Sequence, residues 1–210
     1  MAAPYAGAVT RPGIVRVHGR ADRAAAAVAG SVHGCTATVT TNIRQADPDD
    51  APGILAVVAD TFSYGGTRDP SEEVAIVRGT WSARRGHPLL ELVADENGTI
   101  VGHLQAAPGG LDGHPTRIAG VAPVCVGAAH QGHGVGSALL GTLLGTAEEW
   151  HWPLLVLLGD PAYYGRFGFE PAAPLGLSYP PVGAANPHFQ ARKLPGYAET
   201  LRGEFSYCWE

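Results

Sequence analysis

One stretch limits the architecture more than any other. A β-rich run, Arg117–Val126, passes through "HQGHGVG" into an apolar stripe of Val135, Leu139, Leu143 and Ala147 at helical spacing. The order is strand, glycine loop, helix. The first N–H groups of a helix lack partners within it, and its dipole is positive at that end. Glycines at 132, 134 and 136 keep Cβ atoms off those amides and permit left-handed turns. A helix mouth of this kind suits a phosphate or diphosphate held by main-chain N–H groups.

The flanking segments supply a sheet for that unit. A short strand at Asn42–Gln45 leads to Asp47 as an N-cap, with Pro48 at the first helical position and Asp49 and Asp50 in the first turn. Ile54, Val58 and Phe62 then recur at helical spacing. "DPSEEVAIVRGTWSARRG" repeats the pattern: Asp69 and Glu72 frame a capping box around Pro70, and Gly86 ends the helix. Two β-rich runs flank Asn97-Gly98, a strong hairpin signal. Pro108–Thr116 reads as a loop. "PLLVLLG", Pro153–Gly159, reads as a strand buried on both faces. "DPAYYGRFGFEPA" gives a short helix and a turn, and the tail holds strands near Phe189–Leu194 and Glu204–Tyr207. The order β-α-α-β-β-β-α-β-α-β is a mixed α/β pattern.

Residues 1–40 have no clear period and read as a poorly ordered extension, leaving 41–210 as the folded domain. Their "RADRAAAAVAG" is too deep in the chain and too weakly apolar for a secretory signal. A net charge of −5 and scattered arginines argue against a nucleic-acid partner. No apolar run reaches a membrane span of about 18 residues. Cys35, Cys125 and Cys208 form no CxxC pair, which fits a reducing cytoplasm. His130 and His133 have no carboxylate or cysteine at ligand spacing, so no metal is expected.

Glycine spacing does not name the ligand. Gly136-Ser137 lacks the lysine of a Walker loop, and the dinucleotide fingerprint is missed by its last position. The wider context is more specific. "QGHGVG" fits Q/R-x-x-G-x-G/A and resembles the coenzyme A loop of the GNAT superfamily of N-acyltransferases. "VGHLQ", "GVAPVCVGAAHQGHGVGSALL" and above all "VLLGDPAYYGRFGFEPA" are similar to a YhbS-like branch of predicted acetyltransferases. The likeness covers about residues 42–170.

That resemblance implies a mixed, partly parallel central sheet with helices on both faces and a splay between its fourth and fifth strands. Acetyl-CoA, the cosubstrate, would lie in the splay. Val124, Cys125 and Val126 would face pantetheine, and Gln131, Gly132, His133, Gly134, Val135, Gly136 and Ser137 would surround the diphosphate. The loop lacks the arginine common in the family. Backbone amides would therefore do most of the work, with protonated His133 tightening binding at acidic pH. "YGRFGF" matches Y-x-x-x-G-F, which implies that Tyr164 protonates the leaving thiolate. Cys125 is a packed strand residue rather than an acyl carrier. No base is evident. His103 is the first candidate, acting through water, and Glu91 the second.

The reading is acetyl transfer from acetyl-CoA to a primary amine, on a small molecule or a peptide, by direct attack. The alternative is an inactive CoA-binding sensor. Homodimers are common in the superfamily.

Overall fold

The computed structural model describes residues 15–18, 40–83, 89–183 and 185–207. The described residues form ten strands: β1 (Val15–His18), β2 (Thr40–Gln45), β3 (Leu90–Glu96), β4 (Thr99–Leu111), β5 (His114–Val126), β6 (Leu154–Leu158), β7 (Glu170–Pro171), β8 (Leu177–Ser178), β9 (Phe189–Lys193) and β10 (Gly203–Tyr207). Four helices accompany them: α1 (Ala51–Phe62), α2 (Ser71–Ala83), α3 (Val135–Glu149) and α4 (Pro161–Tyr164). Most of the extension expected at 1–40 lies outside the described residues; Val15–His18 is a strand antiparallel to β2. Gly86 also lies outside them, and α2 ends at Ala83.

The sheet runs β1-β2-β3-β4-β5-β6-β9-β7, with β10 paired to the far end of β4 and β8 to β10. β5 and β6 are parallel; they are the fourth and fifth strands of the sequence pattern, renumbered because β1 precedes them. Helices cover both faces. α3 packs Leu139, Leu140 and Leu143 against Leu92, Leu104 and Val121. On the other face, Ile54 and Val58 of α1 and Val77 of α2 meet Val93 and Cys125. A third cluster, around Phe189 and Phe205, joins the last strands to β6.

Local chemistry explains the elements. Asp47 and Asp50 form a reciprocal capping box, but it opens a 3-10 turn at Pro48–Asp50 that runs into α1. Asp69 Oδ1 accepts from Ser71 N at 2.9 Å, so the second aspartate caps its helix as expected, while Glu72 leans towards Arg68 instead. Asn97 (φ 53°) and Gly98 (φ 87°) turn β3 into β4. The expected Pro108–Thr116 loop is instead the tip of a second hairpin. Asp112 (φ 51°) and Gly113 (φ 74°) make its turn, and both thirteen-residue strands run through the segment.

Candidate active site

The β5–β6 ladder stops early. Its rungs are Ala119–Leu155, Gly120–Val156 and Val121–Leu157, and none follows. On the other side of β5 the register against β4 shifts between Leu104 and Ala106, which face Val124 and Val121. The extra residues are a bulge at Ala122-Pro123. Bulges bend a strand and end pairing, and this one turns Ala122–Val126 away from β6. Gly127 N donates to Val101 O at 2.9 Å. By the alternation of an antiparallel ladder, Cys125 is then bonded to His103, while the backbone groups of Val124 and Val126 face away from β4, into the gap.

The gap is a cleft of about 730 Å³. Val124, Cys125 and Val126 form one wall, and Gly132, Gly134, Val135, Gly136 and Ser137 close one end. Gly134 is the N-cap of α3 at φ 85°, and Gly132 lies at φ 76°; both are left-handed positions that disfavour a side chain. Gly136 is bare for another reason. A Cβ there would stand 2.4 Å from Tyr163 Oη. The third glycine thus admits a tyrosine, a role the spacing alone does not reveal.

Gln131 lines the cleft and donates Nε2 to Val126 O at 2.9 Å, bracing the loop on the splayed strand. His130 lines it too, its Nε2 3.1 Å from Glu96 Oε2. His133 is exposed and is not among the lining residues, so the acid-strengthened binding expected of it has no support in the geometry. A cation does line the cleft from another element. Arg166, in the 3-10 turn after α4, reaches the cleft with its guanidinium 4.7 Å from the centroid of the Tyr163 ring. Arg166 sits inside the matched "YGRFGF", but nothing in that pattern singles it out. Thr61, Phe62 and Tyr64, at the end of α1, also line the cleft and carry no motif.

Tyr164 lies at the opposite wall. Asp160 caps α4, accepting from Ala162 N at 2.9 Å, and so aims the helix. The Tyr164 ring packs edge-on against Tyr163 (5.0 Å) and Phe169 (6.0 Å). Burial, with smaller contributions from Tyr163 and Cys125, pushes its phenol well above the usual tyrosine range. Burial likewise pushes the Cys125 thiol up to about 12. A thiol held that firmly in its protonated form is a poor nucleophile, which agrees with a packed strand residue.

His103 is not brought to the cleft. It is fully buried, with Nε2 3.0 Å from Glu91 Oε1. The same oxygen accepts from Gln105 Nε2 (2.7 Å) and Trp81 Nε1 (2.8 Å), and Thr80 Oγ1 donates to Gln105 Oε1. Burial raises the Glu91 carboxyl, but the His103 and Gln105 bonds outweigh it and hold the group below its usual range. The cluster ties α2 to β3 and β4. Among the described residues, no three His, Cys, Asp or Glu side chains converge as a metal site, and no helix is long and apolar enough to cross a membrane.

The raised thiol makes a prediction. The folded chain holds the Cys125 proton beyond the ordinary thiol pKa of 9.0, to about 12. Its contribution to stability is full below about pH 9 and is lost as pH rises towards 12. Denaturant midpoints measured from pH 8 to 11 should therefore fall with pH, and fall less steeply in Cys125→Ala. Equal slopes would refute the assignment.

Comparison with known proteins fits this geometry. Residues 42–172 match the acetyltransferase (GNAT) domain family. The chain belongs to the GNAT family. It is 34% identical over 132 residues, 62% of this chain and 74% of the relative, to the uncharacterized N-acetyltransferase YhbS of Escherichia coli K12. The crystal structure of E. coli YhbS in complex with CoA aligns with a TM-score of 0.72 at 29% identity, covering 83% of this chain and 93% of that one. A GNAT acetyltransferase from Brucella melitensis in complex with acetyl-CoA aligns at 0.65 and 29%, covering 80% and 95%. This GNAT chain thus has the mixed, open sheet with a parallel central pair that its sequence led us to expect.

Proposed function

We propose that the protein transfers an acetyl group from acetyl-CoA to a primary amine, and that the splayed cleft is where it does so. The observation that carries this is the cleft's polarity. Unencumbered helix amides and Arg166 stand at one end, free strand donors run along one wall, and a protonated phenol stands opposite. The relatives in complex with CoA and acetyl-CoA support the ligand.

In this reading the diphosphate sits on the N–H groups of Gly134, Val135 and Gly136, with Arg166 supplying the charge that the loop lacks. Pantetheine runs along Val124–Val126 and pairs with backbone groups that β6 leaves unbonded. The amine attacks the thioester carbonyl directly, and backbone donors of the splayed strand stabilise the oxyanion. The C–S bond breaks, Tyr164 passes its proton to the coenzyme sulfur, and the phenolate is reprotonated through water by the proton that the attacking nitrogen loses. A phenol above its usual range is a weaker acid, yet the thiolate it meets is no better solvated. Lost solvation raises the pKa of a thiol as it raises that of a phenol, so the transfer is not opposed by burial alone.

Tyr164 favours an enzyme over a sensor, since binding alone has no need of a proton donor opposite the sulfur. The setting we propose is the cytoplasm, where acetyl-CoA and reduced thiols coexist. Calorimetry with acetyl-CoA and CoA tests the binding, and release of free CoA thiol with an amine panel tests turnover. No heat with either coenzyme overturns the proposal; heat without thiol release reduces it to a sensor.

A further inference from the structure

A second cavity, of about 300 Å³, meets the splay from the α2 side. Ala122 belongs to its floor and lies two positions before Val124, which belongs to the coenzyme cleft. Leu157, the last residue of β6 to pair with β5, also lines it. The two cavities therefore reach the point of the splay from different sides. Most of the side chains lining the second are apolar. Tyr179, Val182, Phe189 and Phe205 are among its walls, and Tyr207 lies so close over Gly120 that a Cβ there would stand 2.4 Å from its ring. Glu72, at the start of α2, is the one charged residue among those lining it, and its side chain is 78% exposed.

We infer that this cavity receives the acceptor, and that the acceptor is a primary amine on an apolar body the size of an aromatic ring or a branched alkyl chain. The inference rests on the acetyl-transfer reading above and adds the substrate class. An apolar body gains from leaving water here. A second ammonium group would lose its hydration against aromatic and aliphatic walls. The carboxylate of an amino acid would find no cation among the residues lining the cavity and would meet Glu72, itself 3.8 Å from Arg68, at the mouth. Glu72 instead draws in a single ammonium group, which must release its proton before attack. The volume, at the low end for ligand sites, suits a small amine.

The test uses the full chain with acetyl-CoA and two probes, 2-phenylethylamine and spermidine, followed by CoA-thiol release. We expect kcat/KM at least tenfold higher for 2-phenylethylamine. Val182→Trp and Leu158→Phe, at two residues that line the cavity, should each raise KM for that amine severalfold or more. Acetyl-CoA Kd, measured by calorimetry, should stay within twofold and also reports that each variant has folded. Preference for spermidine, or an unchanged KM in both variants, overturns the inference and leaves acetyl transfer standing. Turnover of neither amine also overturns it. Failure of the wild type to bind acetyl-CoA overturns the parent reading, and this one with it.

Discussion

Tyr164→Phe should lower kcat by about 100-fold, the usual scale for losing a positioned proton donor, while acetyl-CoA affinity changes by about twofold or less. The substitution removes one oxygen and keeps the ring. Contacts with Tyr163 and Phe169 are ring contacts and survive. The Gly134–Ser137 end of the cleft belongs to another element. The loss should thus appear in kcat, where an interaction made only in the transition state belongs. Single-turnover kinetics make the test decisive. If the chemical step of Tyr164→Phe runs at the wild-type rate, the phenol is not the proton donor.

Gly136→Ala should destabilise the protein in its own background and stabilise it in Tyr163→Phe. Alanine is the better helix former, by about 0.5–1 kcal/mol in a helix interior. Position 136 lies in the first turn of α3, yet an added methyl group there would stand 2.4 Å from Tyr163 Oη. Without that oxygen the nearest ring atom is Cζ, at a tolerable 3.6 Å. A double-mutant cycle should therefore give a coupling of about 1–3 kcal/mol, within the range for residues in contact. The larger Gly136→Val should also weaken acetyl-CoA binding by about tenfold or more, near 1.4 kcal/mol. It displaces Tyr163 and, through the edge-on pair, Tyr164. Additive stabilities would show that Gly136 serves only the loop.

Much of this was legible in the residues because local signals and tertiary demands agree. The stripe of α3 is buried at Val135, Leu139, Leu143 and Ala147 as its spacing requires. Asn97-Gly98 makes its hairpin, and the run at Leu154–Leu158 takes its place between β5 and β9. The second hairpin was equally visible in Asp112-Gly113, but Pro108, the glycines and Pro115 mask its strands. What the chain does not spell out is convergence. Arg166 reaches the cleft from 30 residues beyond the loop that lacks an arginine, and nothing in either segment refers to the other. His103 shows the reverse. A histidine on a strand beside the site looks available in sequence, yet the alternation of β4 turns it towards α2, where Glu91 occupies it. Side-chain direction depends on a bulge and a register, and both are properties of the paired sheet rather than of one strand.

The pairing of β10 with β4 has a consequence for synthesis. Phe205 pairs with Leu111, and Glu204 N donates to Asp112 Oδ1 across 92 positions of chain. A nascent chain whose β10 has not yet emerged has the Gly134–Ser137 end of the cleft but lacks the Phe205 and Tyr207 rings that line the second cavity. Its hairpin tip also offers an unpatched sheet edge, the sort of surface that recruits stray strands. On the proposed roles, such a chain would bind coenzyme before it could select an amine.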